Sequence, residues 1–265
     1  MQPTQQQKAR TFRALHDSGT FLIPNPWDAG SARVLAGLGF PALASTSSGF
    51  AFTLGRRDGG ATLAEVVAHA RTLDEATALP VSIDLENGYG SRPEDAATAV
   101  RMVAEAGAVG ASIEDFDPTS GIYPAAFAAE RVAAAVEAAR GLDFPFTLTA
   151  RAENLLHGVD DLDDTVARLQ AYERAGADVL YAPGLTTLDQ IRTVCGSVGG
   201  PVNVLARRDL TAAQLAEAGA RRISVGGALA WAALDAFVSA AERIRDAGDF
   251  SGLAGPARVA GHLED

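Results

Sequence analysis

Lysine is nearly missing from this chain: of its 22 basic residues, all but Lys8 are arginine. Schiff-base chemistry needs a buried lysine amine, and Lys8 lies in a polar leader, MQPTQQQKAR, so that chemistry is nearly excluded. Cysteine is equally scarce. The single Cys195 can form neither an intramolecular disulfide nor a multi-cysteine zinc site, and it reads as a small apolar residue in a helical stretch. The four histidines, His16, His69, His157 and His262, show no H-x-x-x-H spacing. Only His157, near a strand end, is worth following. No G-x-S-x-G elbow supports a serine nucleophile. Positive charge is in deficit, with a net charge of −11, which argues against nucleic-acid and membrane-surface partners because binding phosphates needs clustered cations. No uncharged apolar run of about 18 residues could span a bilayer, and the leader lacks a secretory apolar core. The expected location is the cytoplasm.

What is present is alternation. Short apolar, β-branched runs alternate with Ala-rich amphipathic stretches, the pattern of repeated βα units. Eight strands are expected: 20–25, 41–47, 80–86, 109–115, 145–153, 178–183, 201–206 and 221–226. Gly107, Gly176 and Gly219, in recurring A-G-A turns before strands, read as helix C-caps. The stretch after the first strand, NPWDAGSA, lacks G-x-G-x-x-G, so a dinucleotide site is not expected. The chain reads as a single (β/α)8 TIM barrel over residues 1–265, with a polar leader and a C-terminal helical tail from about residue 249.

Active sites of such barrels lie at the C-terminal strand ends, and acids collect there. Asp84 and Glu86 close the third strand, Glu114 the fourth, and Arg151 with Glu153 the fifth, while Asp58 lies in the GRRDGG loop after the second. Alternation sends Asp84 with Glu86, and Arg151 with Glu153, to one face. Carboxylates packed together need a cation or protonation, and an all-oxygen set suits Mg2+, with Mn2+ second. Asp115 and Asp117 read as turn residues. Ser45, Thr46 and Ser47 offer hydroxyls and backbone amides for a carboxylate, and Gly226 and Gly227 open the helix where many barrels hold phosphate.

NPWDAGSARVL, STSSGFAFTLGRRDG, DLENGYG, GASIED, TARAEN and RRISVGGALA, in that order, resemble the isocitrate lyase and phosphoenolpyruvate mutase superfamily over nearly the whole chain. The resemblance implies a Mg2+ site centred on Asp84 and Glu86, with Asp58 and Glu114 holding the ion largely through water. It implies that Ser45 to Ser47 bind the substrate carboxylate through backbone amides, that Arg151 pairs with the developing enolate with Glu153 behind it, and that Asn203 touches the substrate. It also implies a homodimer or homotetramer in which the last helix is exchanged. Lyases of this group carry Lys-Cys-Gly-His on the loop after the fourth strand, and the mutase and phosphonate-hydrolase branches carry a lysine and an asparagine there. Here the loop is DFDPTSGIYP, so neither activity transfers. What survives is Mg2+-dependent cleavage or decarboxylation of a small 2-oxo or 2-hydroxy (di)carboxylate through an enolate, with Arg151, Glu114 and Tyr123 as the expected catalytic groups. A phosphonate P–C bond enzyme or metal-dependent aldolase with contacts at Gly226 and Gly227, and a barrel that binds a 2-oxo acid without turnover, are the alternatives.

Overall fold

Short, mostly buried apolar runs alternate with helices, and this repetition builds the barrel. The structure, a computed structural model, describes residues 2–263. Eight parallel strands form it: β1 (Phe21–Ile23), β2 (Leu43–Ala44), β3 (Val81–Asp84), β4 (Gly110–Glu114), then, after the β5 (Phe116–Asp117) and β6 (Gly121–Ile122) hairpin, β7 (Thr147–Arg151), β8 (Val179–Tyr181), β9 (Val202–Leu205) and β10 (Arg222–Ser224). Their order is β1-β10-β9-β8-β7-β4-β3-β2. The remaining seam, between β1 and β2, is bridged by Ala44 N–H donating to the Pro24 carbonyl at 3.1 Å. All eight expected strands are present. Their ends are shorter than expected because the chain turns away to make loops at the mouth.

Helices α2 (Ala29–Gly37), α4 (Leu63–Ala76), α5 (Pro93–Glu105), α6 (Ala125–Arg140), α7 (Leu162–Arg174), α8 (Leu188–Ser197) and α9 (Ala212–Glu217) surround the sheet, with short α3 (Ser47–Thr53) at the mouth. Thr62 and Glu65, Thr187 and Gln190, and Thr211 and Gln214 form reciprocal caps, satisfying N–H groups that helix geometry leaves open. Gly107, Gly176 and Gly219 have φ of 107°, 98° and 106°, as the A-G-A turns require.

The two ends of the chain add to the barrel. The leader is a helix, α1 (Gln5–Ala14), whose Ala9 and Phe12 are fully buried against β1 and Val109. Apolar residues three apart gave it a core-facing side, and Lys8 is buried with it, its ammonium 2.7 Å from Asp74 and donating to the Thr77 carbonyl. At the other end, α10 (Ala228–Ala247) buries only Ala230 and leaves Trp231, Phe237 and Val238 exposed. Past it, α11 (Ala257–Ala260) leads back to α2, where Arg33 donates to the Leu263 carbonyl. No helix among the described residues is long and apolar enough to cross a membrane.

His69 on α4 is buried, stacks on Phe50 at 4.0 Å, and leaves Nε2 without a partner among the described residues. Burial, partly opposed by Asp28, pushes its pKa down from 6.5 to about 4. Between those values the unfolded chain binds more protons than the folded one, so the stability is full above the unfolded pKa and lost as pH falls toward the folded one. We expect the denaturation midpoint of the wild type to fall more steeply than that of His69→Phe between about pH 7 and about pH 4. Parallel profiles would show that His69 does not contribute to the acid transition.

Candidate active site at the barrel mouth

The strand register determines which side chains meet. Arg151 stands opposite Glu114 on β4 and Tyr181 on β8, and Asp84 stands opposite Ser112. Arg151 is therefore surrounded. Its guanidinium lies 2.9 Å from Glu114, 2.7 Å from Glu153 and 3.3 Å from Asp84, and its Cζ sits 5.0 Å from the Tyr181 ring centre. Burial by itself would lower the Arg151 pKa, but the Glu114, Glu153 and Asp84 carboxylates outweigh it and hold the group well above its ordinary value. The acids feel the opposite pressure. Burial raises both Glu114 and Glu153, and Arg151 only partly offsets it, because one guanidinium cannot neutralise three carboxylates.

Asp84 is fixed from several sides. Its backbone N–H donates to Ser45 Oγ at 2.8 Å, and its carboxylate accepts from Ser47 N–H and Ser112 Oγ, both at 3.3 Å. The Ser45 amide is itself spent on the Ser82 carbonyl, so Ser45 positions Asp84 and does not present a free amide to a ligand. Thr46 caps α3, with its hydroxyl accepting from Gly49 N–H.

Glu86 departs from the strand geometry that its spacing suggested. The strand ends at Asp84, and Glu86 has φ of 48°, Tyr89 of 60°, so its position comes from a left-handed turn. The turn is held from below by buried Arg131, which donates to the carbonyls of Asn87, Gly90 and Arg92. Burial, then the Asp84 charge, lifts the Glu86 carboxyl to about 7, even though the Tyr89 hydroxyl donates to it at 2.9 Å.

Two compartments meet at Arg151. An inner one of about 160 Å³ runs into the barrel past Ser82, Ser112, Asn203 and Arg222, and an outer one of about 440 Å³ is lined by Glu86, Tyr89, Glu114, Phe116 and His157. Asp58, Ser47, Leu156 and Arg151 border both. Arg151, Glu114, Glu153, Asp84, Glu86, Asp58 and Ser47 thus gather around one opening. Asn203 lies deeper, its amide donating to Ser224 Oγ and accepting from Arg222 Nε.

Tyr123 does not join them. It is buried, borders neither compartment, and donates its hydroxyl to Asp117 at 3.1 Å, because the loop after β4 folds as a hairpin around Asp117, which also accepts from Thr119 and Ser120 N–H. This placement removes support for Tyr123 as a proton donor. Gly226 N–H is occupied as well, donating to Asn25 Oδ1 at 2.9 Å, which leaves that amide unavailable to phosphate. His157 stacks on Phe116 at 3.4 Å.

Sequence reasoning passed over three residues. Asn25 ties Ser45 of the second βα unit to Val225 and Gly226 after β10; its place at the end of β1 was the signal. Arg222 is a cation inside the barrel, visible only once β10 is aligned. Asp115 is a buried anchor, where a turn residue was expected: it accepts from Glu153 N–H, Arg168 and the Tyr172 hydroxyl at 2.5 to 3.0 Å. Both side chains that reach it, the Arg168 guanidinium and the Tyr172 hydroxyl, come from α7, far away in sequence.

Among the described residues no three His, Cys, Asp or Glu are spaced to grip a metal directly. The donor set still fits a hard cation: Asp84, Glu86, Glu114 and Asp58 crowd one opening with only Arg151 among them, and Mg2+ keeps several waters between itself and such acids.

Residues 12–245 match the family model of phosphoenolpyruvate phosphomutase. A crystal structure of a candidate lyase/mutase from Burkholderia cenocepacia J2315 superposes with a TM-score of 0.93 at 52% identity, covering 96% of this chain and 95% of that one. The 2-methylisocitrate lyase of Escherichia coli K12 is 30% identical over 204 residues, 73% of this chain and 68% of that protein. An oxaloacetate decarboxylase of Bradyrhizobium diazoefficiens is 32% identical over 187 residues, 66% of this chain and 62% of that one.

Removing one member of a buried ion cluster strands the others. We expect Asp115→Ala to cost about 3–5 kcal/mol in urea unfolding, with Glu153 released from its backbone anchor. A loss below about 1 kcal/mol, the range of exposed pairs, would show that Arg168 and Tyr172 find other partners.

Proposed function

The chain belongs to the phosphoenolpyruvate phosphomutase family, within the isocitrate lyase and phosphoenolpyruvate mutase superfamily, and from that premise we propose that it is a carbon–carbon lyase acting on a small 2-oxo or 2-hydroxy carboxylate. The observation that carries this reading is Arg151 held at the barrel mouth by Asp84, Glu114 and Glu153.

A guanidinium fixed on three sides loses no orientation when charge appears beside it, which is the requirement for stabilising a developing oxyanion. When the bond beyond the carbon next to the 2-oxo group breaks, the departing fragment leaves as CO2 or as a carbonyl compound, the electron pair of that bond forms the new C–C double bond, the carbonyl pair moves to the 2-oxygen as an enolate, and Arg151 donates to that oxygen. Glu153, fixed by Asp115, and Glu114 keep the guanidinium in place. Ser47 N–H steadies Asp84 at the same opening. Asp84 would hold Mg2+, with Glu86, Asp58 and Glu114 reaching it largely through water. When bound, the ion supplies charge to polarise the 2-oxo acid. Mn2+ has the same oxygen preference.

The hairpin after β4 brings only Phe116 and Pro118 to the outer compartment, and neither can donate a proton. Enolate protonation then falls to water or to a group of the mouth outside the hairpin, such as Tyr89, His157 or Glu86, which fits a decarboxylation or a cleavage needing no dedicated loop acid. A P–C bond reaction gains nothing from Gly226, whose amide is already taken.

Titrating oxalate, a mimic of the pyruvate enolate, into the protein by calorimetry tests the site. Binding with Mg2+ that EDTA abolishes and Asp84→Ala loses is the expected result. Absence of binding by folded protein overturns the enolate reading. The exposed Trp231, Phe237 and Val238 of α10 support a homodimer or homotetramer in which this helix packs on a neighbouring copy. Sedimentation should give a dimer or larger for the wild type and a smaller species for Phe237→Glu, whereas a monomeric wild type would refute the assembly.

A further inference from the structure

The cavity contains two arginines in opposite electrostatic situations. Arg151 has three carboxylates around it, and Arg222, on the floor of the inner compartment, has none among the described residues. Its partners are neutral: Nε donates to Asn203 Oδ1 at 2.8 Å and Nη2 to Thr149 Oγ1 at 2.9 Å, while Nη1 has no partner among the described residues. The side chain is only 5% exposed. A buried charge without a counter-charge is costly and is normally paired. Burial first, and Arg151 as well, pushes the Arg222 pKa down to about 10, which still leaves it cationic near neutral pH.

The surroundings are built to hold it there. Asn203 is locked between Arg222 and Ser224, and Thr149 is fully buried. The inner compartment, at about 160 Å³, is roughly ten times the ~10–15 Å³ needed to hold one water. It therefore accepts a small acid and rejects a nucleotide. Its wall includes Arg151 at the mouth and Arg222 at the floor.

We propose that Arg222 is the subsite for the distal carboxylate of a short dicarboxylate whose 2-oxo or 2-hydroxy head lies at Arg151. This rests on the lyase reading of the mouth and makes it more specific: the preferred substrates are dianions, and a monocarboxylate of equal length leaves the Arg222 charge uncompensated. Asn203 and Thr149 are positioning residues for the guanidinium. Selection arises from a mismatch, since an apolar tail would sit against an unpaired cation.

Calorimetry with malate and with 2-hydroxybutyrate, which carries a methyl group in place of the distal carboxylate, isolates the subsite in the Mg2+-loaded protein, with oxalate as a probe of the head position alone. Wild type should bind malate about ten- to a hundredfold more tightly than 2-hydroxybutyrate, the range of a charge-assisted hydrogen bond. In Arg222→Gln that ratio should collapse toward one, while oxalate still binds. The wild-type ratio needs no variant, so a misfolded Arg222→Gln does not block the test. Oxalate binding together with a wild-type ratio near one overturns the subsite and leaves the lyase reading standing. Failure of oxalate and both hydroxy acids to bind overturns the lyase reading and the subsite with it.

Discussion

One guanidinium held among three carboxylates governs the mouth of this barrel. Arg151 could not be buried beside Tyr181 without Glu114, Glu153 and Asp84, and those acids could not approach one another without Arg151. The cluster remains short of positive charge, which shows as the upward pressure on Glu86, Glu114 and Glu153. A fold that tolerates this deficit has reserved the place for a further cation or a proton. The same deficit explains the surrounding architecture: Asp115 fixes Glu153 from beneath, Ser45 fixes Asp84, and Arg131 fixes the left-handed turn carrying Glu86.

Barrel interiors are usually filled with branched apolar side chains. Here Ser82, Ser112, Thr149, Asn203, Arg222 and Ser224 take inward positions, and the apolar packing lies between sheet and helices. The hydrophobic layer holds the shape, which frees the centre of the barrel for polar groups. Stability and chemistry are thereby divided between two shells.

The eight strands were legible because each is a local run of apolar residues bounded by glycine or a capped helix, information contained within a few neighbours. The acids of the mouth were legible for a related reason: strand ends in a barrel share one rim, so Asp84, Glu114 and Arg151 could be grouped without knowing their contacts. Other features depend on partners far along the chain. Asp115 looks like a turn residue until Arg168 and Tyr172 arrive from α7, and Tyr123 looks like a loop donor until Asp117 takes its hydroxyl. Glu86 reached the rim by a positive φ and not by strand alternation, a backbone choice that an alternating pattern does not encode. Arg222 was hidden by its position at the start of a strand, where the rim argument does not apply.

Asn25 gives the closure of the barrel a temporal meaning. Its amide reaches Ser45 just 20 residues on, and Val225 and Gly226 some 200 residues on. During synthesis the N-terminal half, with Asp58, Asp84 and Glu114, leaves the ribosome long before β10 does, and such distant closures come late in folding. The nascent chain thus carries an acidic rim before it has a cationic floor. A prematurely terminated chain that keeps every carboxylate of the mouth would still lack Arg222 and the strand that completes the barrel.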